Sequence, residues 1–251
     1  MAGLGASMGG DLLGIRIISV PGVFQPHSDS WMLARALRDD VDAAGRDVLD
    51  LCTGSGLLAV SAALLGARAT AVDVSRRALL SVRINAQLNG VHVRTRRGSL
   101  FEALRGERFD TIVSNPPYLP AGTGARRASG LQRAWEGGRE GRALLDPICE
   151  QAASFLRPGG SVLLVHSTVC GVQRTLDLLA ATGLDVAVVD RSRGPLGPRL
   201  RERAAELWSS GALAPGELEE EIVVVRGGRP GARRGVAGAR ALLALGDEIG
   251  K

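Results

Sequence analysis

The sequence predicts an α/β fold, in which a mostly parallel sheet of seven strands carries helices on both faces. After residue 45, short apolar runs alternate with longer amphipathic helical patterns, as is typical of parallel sheets. Turn sequences rich in glycine and proline separate these runs. No apolar run reaches the roughly 18–20 residues that a membrane span needs, so we expect no contact with a membrane.

Hydrophobic periodicity places the individual elements. A short strand is predicted at 15–20, followed by a helix that starts at Ser28 or Asp29 and runs to Val41. The strands of the sheet are expected at 48–51, 69–72, 91–95, 109–114, 161–166, 185–190 and 221–225. The main helices are expected at 57–65, 76–90, 143–156 and 172–182. The segment 191–220 holds three prolines and the pattern of one short helix, at 199–208.

The two ends of the chain differ in composition from its middle. Residues 1–14 are rich in small residues and are predicted to be a flexible N-terminus. Residues 15–226 are expected to form one folded domain. Residues 227–251 are a tail rich in glycine and arginine, in which 236–245 fits either a small helix or a disordered segment.

Cysteine usage and the N-terminal sequence indicate a cytoplasmic location. Cys52, Cys149 and Cys170 lie far apart, which predicts neither a disulfide framework nor a metal site. The first residues lack both a basic region and a long apolar run, so no secretory signal is expected.

The positive charge has two interpretations. The net charge is +5 and the sequence pI is about 10.0, with arginines clustered at 94–97, 126–133, 191–203 and 226–240. Such clusters predict contact with a polyanion such as ribosomal RNA or DNA. They are equally typical of a solvated surface in an arginine-rich chain, and the modest net charge favours this second interpretation.

The stretch from Asp47 to Asp73 is a strand–turn–helix–strand unit that ends in an acid. Gly54 and Gly56 allow a tight turn and the close approach of a ligand. The start of the following helix favours a polar or anionic ligand group, and an acid such as Asp73 can accept both hydroxyls of a ribose. The unit predicts a nucleotide-like cofactor without identifying it, because the third glycine of the dinucleotide motif is absent.

The second chemical motif is Asn115-Pro116-Pro117-Tyr118, at the carboxyl end of the fourth strand of the sheet. Open α/β sheets place their ligands at this edge. The two prolines fix the backbone, so that the carbonyl of Pro116 and the side chain of Asn115 offer two fixed acceptors to a planar NH2 group. Tyr118 can pack its ring on that group.

Together these motifs resemble class I S-adenosylmethionine-dependent methyltransferases of Rossmann-like fold, and more narrowly the HemK/PrmC family of protein glutamine N5-methyltransferases. Residues 50–56 and 115–118 carry the resemblance. Residues 24–30 are similar to the family's aromatic-x-Pro-x-x-Asp-Ser segment. Residues 134–142 resemble its Trp-x-Gly-Gly-x-x-Gly-Arg segment, and 220–225 its last strand. The resemblance covers about residues 20–226 and makes 15–226 a methyltransferase domain.

The resemblance implies S-adenosyl-L-methionine as the cofactor and assigns roles by position. The catalytic residues would be Asn115, Pro116, Pro117 and Tyr118. Asp73 would hold the ribose, while Ser99 and Leu100 would border the adenine. Asp50, Cys52, Thr53 and Gly54 would surround the methionine part of the cofactor, and Ser30 would lie near the same end. Gly56 and Asn115 would also contact the cofactor. Ser99 departs from the family, which usually has an acid there, and a serine accepts a hydrogen bond more weakly.

We therefore expect an N-methyltransferase that acts on a planar NH2 group, in the first place the side-chain amide of a protein glutamine in a release factor Gly-Gly-Gln loop. Three alternatives stay open: the N6 amine of adenine in DNA or RNA, a small-molecule amine or amide, and a cofactor-binding protein with little catalysis. Because no helical domain precedes residue 15, the chain resembles the eukaryotic and archaeal branch of the family. That branch works with a small zinc-containing activator.

Overall fold

The computed structural model describes residues 14–40, 43–121 and 135–230. They form one seven-stranded sheet in the order β3-β2-β1-β4-β5-β7-β6. All neighbouring strands are parallel except β7, which pairs antiparallel with both β5 and β6. The predicted α/β fold is confirmed. The strands are β1 Asp47–Leu51, β2 Arg68–Asp73, β3 Val93–Arg97, β4 Phe109–Ser114, β5 Leu156–Ser167, β6 Asp185–Pro195 and β7 Glu219–Gly228.

Five helices pack on the sheet and two short ones lie between its last two strands. The sheet-packing helices are α1 Ser28–Asp40, α2 Leu57–Leu64, α3 Arg76–Leu88, α4 Leu145–Phe155 and α5 Val172–Ala181. The segment predicted to hold one helix at 199–208 instead holds two, α6 Pro198–Arg201 and α7 Ala204–Ser209. Apolar side chains of this segment, among them Leu196, Leu200 and Leu207, form a small core of their own with Val169. The two helices therefore have a core of their own, separate from the two faces of the sheet.

The main core lies on both faces of the sheet, as the alternation of side chains along a strand requires. In β1, Val48 packs on the face covered by α1, α2 and α3, and Leu49 packs on the opposite face with residues of α4 and α5. Both side chains are fully buried. The carboxyl ends of β1, β2 and β4 are thereby held at one edge of a rigid sheet.

The prediction of a strand at 15–20 is wrong. This segment has no regular secondary structure and pairs with no strand in the described part of the chain. Its polar backbone groups are satisfied by side chains of α3: Ile18 exchanges hydrogen bonds of 3.0 and 2.8 Å with the Asn85 side chain. The backbone N–H of Arg16 donates to Asn89 Oδ1 at 2.9 Å. A strand-like sequence is thus anchored to a helix by asparagines.

Some expectations fall outside the described residues. These are the flexible N-terminus over residues 1–13, the arginines at 126–133, and most of the tail with its candidate helix at 236–245. Among the helices that are described, none is long and apolar enough to cross a membrane.

Candidate active site

The turn after β1 is built from backbone conformations that favour glycine. Gly54 and Gly56 have φ angles of +53° and +88°, and Cys52 also lies in the left-handed region at +56°. The N–H of Gly54 donates to Asp73 Oδ2 at 3.1 Å, which ties the turn to the end of β2. The other oxygen of Asp73 accepts from the N–H of Ser75 at 2.8 Å. The acid therefore shapes the turn while its remaining lone pairs stay available to a ligand.

Asp50 supports this turn from the interior of the protein. Its side chain is 1% exposed, and Oδ2 accepts from Thr53 Oγ1 at 2.5 Å and from the N–H of Ala59 at 3.1 Å. Burial raises the pKa of Asp50 to about 7, and the pKa of the neighbouring Cys52 thiol is also raised by burial. A thiol of this kind stays protonated at neutral pH, so Cys52 offers no nucleophile.

A cavity of about 980 Å³ opens over this turn, and we call it the turn cavity. Asp73 stands in its wall, and burial raises the pKa of this carboxyl. The cavity brings together most residues predicted to bind the cofactor: Ser30, Cys52, Thr53, Gly54, Asp73, Ser99, Leu100 and Asn115. Wall residues that sequence reasoning missed include Phe24, Leu57, Arg97 and Glu136. Asp50 and Gly56 do not line it: a Cβ on Gly56 would lie 2.9 Å from Val82 Cγ2, so this glycine permits the close packing of α2 on α3.

A second cavity, of about 860 Å³, lies on the other side of Asn115. We call it the acceptor groove, after the two hydrogen-bond acceptors, Asn115 and Pro116, that line it. One wall comes from residues 18–25 together with the residues around the start of α1, and the floor is formed by residues 115–119. The opposite wall comes from the end of β6 and from α6, through residues 192–200. Gly22, Val23, Phe24, Asn115 and Pro117 line both cavities. The groove and the turn cavity therefore meet at the Asn-Pro-Pro-Tyr motif.

Asp29 and Ser30 fix the orientation of the Asn115 amide. Asn115 Nδ2 donates to Asp29 Oδ2 at 3.0 Å and to Ser30 Oγ at 2.9 Å. The hydroxyl of Tyr118 donates to the same Asp29 oxygen at 2.9 Å. Because the nitrogen is bound to α1, the amide oxygen is the atom left for a ligand. The sequence predicted a place for Ser30 near the cofactor, but it did not predict the contact between Asp29 and Asn115.

Tyr118 is held by its hydroxyl, its backbone and its surroundings. Burial is the largest cause that raises its pKa well above the ordinary value, and the charge of Asp29 adds to it. Cys170 Sγ donates to the Tyr118 carbonyl at 2.9 Å. The phenol is therefore neutral, and its hydroxyl is held by Asp29.

The glycine-rich segment 135–142 packs directly against the motif. Leu119 donates its N–H to the Trp135 carbonyl at 2.9 Å and accepts from the N–H of Gly137 at 2.9 Å. A Cβ at Gly137 would lie 2.5 Å from the Pro117 carbonyl oxygen, and one at Gly141 would lie 2.1 Å from that of Tyr118. Only glycine allows this approach. Here the Trp-Glu-Gly-Gly sequence positions the backbone of the motif.

None of the three histidines is arranged as a base. His166 is fully buried, and burial lowers its pKa to about 4, so it is neutral at physiological pH. Its Nδ1 lies 2.9 Å from the Ser167 carbonyl. His27 and His92 are exposed, and His27 stands at the rim of the groove.

Comparisons with known proteins identify the family. The Methyltransferase small domain family matches residues 14–129. A putative protein N5-glutamine methyltransferase of Methanocaldococcus jannaschii is 33% identical over 186 residues, which is 74% of this chain and 92% of that protein. The chain belongs to the protein N5-glutamine methyltransferase family.

The matches to bacterial relatives cover only part of each protein. The release factor glutamine methyltransferase of Deinococcus radiodurans is 37% identical over 60% of the chain and 56% of that protein. That of Geobacter sulfurreducens is 34% identical over 69% of the chain and 63% of that protein. The chain thus spans a little over half the length of these bacterial relatives.

Solved structures show the same fold. The Encephalitozoon cuniculi (E. cuniculi) Mtq2–Trm112 complex, which methylates the translation termination factor eRF1, matches with a TM-score of 0.57 at 20% identity. The match covers 83% of this chain and 99% of that one. A Thermus thermophilus (T. thermophilus) 16S rRNA methyltransferase, RsmC, matches with a TM-score of 0.54 at 22% identity, over 86% of this chain and 48% of that one. The methyltransferase therefore has the Rossmann-like fold that its sequence predicts.

The cofactor of this methyltransferase is S-adenosyl-L-methionine, and the turn cavity fits it. The volume of about 980 Å³ lies at the upper end of the roughly 300–1,000 Å³ typical of small-molecule sites. An acid stands at the end of β2, where a ribose is bound in related folds. Gly98 allows a tight wall beside Ser99, because a Cβ there would lie 2.7 Å from the Ala103 Cβ.

Proposed function

We propose that the chain methylates the side-chain amide nitrogen of a protein glutamine, of the kind found in the Gly-Gly-Gln loop of a release factor. The observation that carries the proposal is the position of Asn115. It lines both cavities, and its amide nitrogen is bound to Asp29 and Ser30. Its oxygen is thereby presented at the junction where an acceptor would meet a methyl donor.

Two acceptors at this junction suit a planar NH2 group. Within the described residues, no hydrogen bond ends on Asn115 Oδ1 or on the Pro116 carbonyl. If each accepts one hydrogen of the glutamine amide, the NH2 plane is fixed and the nitrogen lone pair points at right angles to it. Bound S-adenosylmethionine supplies an electrophilic methyl group on its sulfonium. Orientation of this kind can lower a barrier by about 7–11 kcal/mol.

The reaction needs no strong base from the described residues. Asp29 Oδ2 already accepts from Asn115 and Tyr118, and Oδ1 accepts from the N–H and hydroxyl of Ser30 at 2.7 and 3.3 Å. Those four hydrogen bonds use the acceptor capacity of a carboxylate. We propose that the glutamine nitrogen loses its proton to water in the groove after transfer.

We propose the following roles for the residues that hold the cofactor. Asp73 binds the ribose, and Ser99 and Leu100 border the adenine. Ser30, Cys52, Thr53 and Gly54 surround the methionine part. Asp50 and Gly56 act from behind the wall, by holding the turn and its helix in place. These roles are supported by which residues line the turn cavity and which lie behind it.

Removal of the Asp73 carboxylate is expected to weaken cofactor binding. A hydrogen bond to a charged group contributes about 1.5–3 kcal/mol, so Asp73→Ala should raise the Kd for S-adenosylmethionine by about 10–100-fold. Isothermal titration calorimetry measures this change. Asp185→Ala, at an exposed acid outside both cavities, is the matched control and should leave the Kd unchanged. An Asp73→Ala variant with wild-type affinity would contradict the ribose assignment.

Asp29 is expected to act as a positioning residue for Asn115. Without its carboxylate the Asn115 amide can turn, so Asp29→Ala should lower kcat by about 10–100-fold, the effect of a charged hydrogen bond. Asp29→Asn keeps one acceptor oxygen and should recover part of this loss, which a purely structural role would not require. Steady-state kinetics with a glutamine peptide measure both variants. Equal rates for wild type and Asp29→Ala would refute this role.

The proposed function is tested with labelled S-adenosylmethionine and separate pools of release factor, total protein, ribosomal RNA and DNA. We expect label on the glutamine of the release factor loop, and none on a release factor in which that glutamine is alanine. Label found only in nucleic acid would favour the adenine alternative. Label in none of the four pools would contradict both the glutamine proposal and the adenine alternative.

The arrangement of the arginines supports a protein acceptor over a nucleic acid. In the described part of the chain, several arginines of the predicted clusters form ion pairs with aspartates or glutamates, which leaves less positive charge for a polyanion. These ion pairs are Arg94–Glu107, Arg191–Glu221, Arg193–Glu219, Arg203–Glu136 and Arg226–Asp40. Contact with nucleic acid stays a prediction that the labelling experiment tests.

We also propose a small zinc-containing activator as partner and the cytoplasm as location. The first proposal is supported by the shared fold with Mtq2, which was solved together with Trm112. The second is supported by three free cysteines, two of them buried. Copurification of the expressed chain with candidate activators tests the partner.

A further inference from the structure

Glu220, near the start of β7, has one carboxylate oxygen without a hydrogen-bond partner in the described part of the chain. Its Oε1 accepts from the N–H of Gly197 at 3.0 Å, which fixes the side chain against the segment between β6 and β7. Its Oε2 is buried and has no hydrogen-bond partner among residues 14–40, 43–121 and 135–230. Glu220 also lines the acceptor groove. Because a buried carboxylate oxygen without a partner is costly, an oxygen of this kind indicates a missing donor.

Glu220 differs from the two glutamates beside it in its ion pairing. Glu219 and Glu221 form ion pairs of 2.8 and 2.6 Å with arginines of β6. Glu220 points to the other face of the strand, and no arginine of the described residues lies within ion-pair distance of it. Of the three consecutive glutamates 219–221, the one that lines the groove is therefore the one without an arginine partner in the described part of the chain.

The surroundings of Glu220 favour a cation. Asp29, Glu220 and Tyr118 all line the groove, and the negative charges of the two acids both contribute to the raised pKa of Tyr118. Asp29 is saturated by its own donors, which leaves Glu220 as the available acid. The two arginines of the groove are engaged elsewhere: Arg193 pairs with Glu219, and Arg199 lies 3.7 Å above the ring of Trp135.

We propose that Glu220 binds a positively charged side chain, a lysine or arginine, of the acceptor polypeptide close to the methylated glutamine. This inference rests on the proposed function and adds a rule for acceptor choice. The cation replaces the missing donor at Oε2, while apolar residues of the groove, such as Ile222 and Leu200, receive the uncharged stem of the side chain. The middle glutamate of 219–221 therefore acts in recognition, while its two neighbours stabilise the β6–β7 pair.

The test uses glutamine peptides in which one lysine is moved through the positions around the glutamine, each compared with norleucine at the same position. Norleucine keeps the length of the side chain and removes the charge. The full-length wild-type chain should show kcat/KM at least about 10-fold higher for lysine at one position, as expected for a charge-assisted hydrogen bond. In Glu220→Gln this ratio should fall to about one. In Glu220→Lys the preference should move to a peptide with glutamate at that position.

Glu221→Gln is the matched control, because it removes a neighbouring carboxylate that lies outside the groove lining. It should keep the wild-type preference for lysine. Binding of the same peptides without methyl donor is measured in parallel by fluorescence anisotropy. If no peptide is methylated but lysine peptides still bind more tightly than norleucine peptides, only the proposed function is contradicted. Equal binding of lysine and norleucine peptides at every position, or a preference that survives in Glu220→Gln, would overturn the role of Glu220.

Discussion

Asn115→Ala is expected to lower kcat by about 10²–10³-fold, the effect of removing one preorganised polar group from an active site. The variant loses the oxygen that we propose as an acceptor for the glutamine amide, and with it the orientation of the nucleophile. Affinity for S-adenosylmethionine should be largely kept, because most of the turn cavity is formed by other residues. Single-turnover kinetics and calorimetry separate the two effects.

The matched control for Asn115→Ala is Gln87→Ala, which removes an exposed amide on α3 that lines neither cavity. Its rate should equal that of the wild type. If Asn115→Ala turned over at the wild-type rate, the proposed clamp on the acceptor amide would be wrong. If it lost cofactor binding instead, Asn115 would act chiefly in the turn cavity.

Gly141→Ala is expected to produce the largest loss of stability together with a loss of activity. The residue has a φ angle of +73°, and the new Cβ would lie 2.1 Å from the Tyr118 carbonyl oxygen and 2.8 Å from Cys170 Sγ. The left-handed conformation costs about 1–2 kcal/mol, and overpacking of a rigid site adds about 1–3 kcal/mol. We therefore expect a decrease of about 2–5 kcal/mol in the free energy of unfolding. Urea denaturation measures it.

Gly183→Ala separates the two causes. Gly183 has a φ angle of +81°, but a Cβ there would meet nothing within 4 Å. This variant should show only the backbone cost, and its kcat should be unchanged. A Gly141→Ala variant that is as stable and as active as Gly183→Ala would show that close packing on Tyr118 does not position the motif.

The fold could be predicted from the sequence because its information is local. Most strands of the sheet contain a short apolar run, the main helices have amphipathic patterns, and glycine or proline marks many of the turns between them. The same holds for the turn after β1 and for residues 115–118, whose meaning follows from their place at the ends of strands. The strand predicted at 15–20 fails for the opposite reason: its partners are Asn85 of α3 and Asn89 directly after this helix, 67 and 73 positions away.

The arrangement of the site required the structure. The hydrogen bond between Asp29 and Asn115 joins residues 86 positions apart, and no local pattern in the sequence indicates it. The motif around Gly54 suggested contact with the cofactor for Asp50 and Gly56, whereas the fold places both behind the cavity wall. Spacing within a motif cannot separate a residue that lines a cavity from one that supports the lining. The unpaired oxygen of Glu220 is likewise a property of the packed molecule.

The junction of the two cavities at Asn115 and Pro117 has a consequence for inhibitor design. A single compound that joins a nucleoside portion to a short amide arm could fill the turn cavity and the acceptor groove together. Linking two weak binders in this way raises affinity through effective concentration, by as much as about 10²–10⁴-fold when the geometry permits both to bind. A cationic end on the arm, directed at Glu220, would distinguish this methyltransferase from enzymes that share only the nucleoside half of the site.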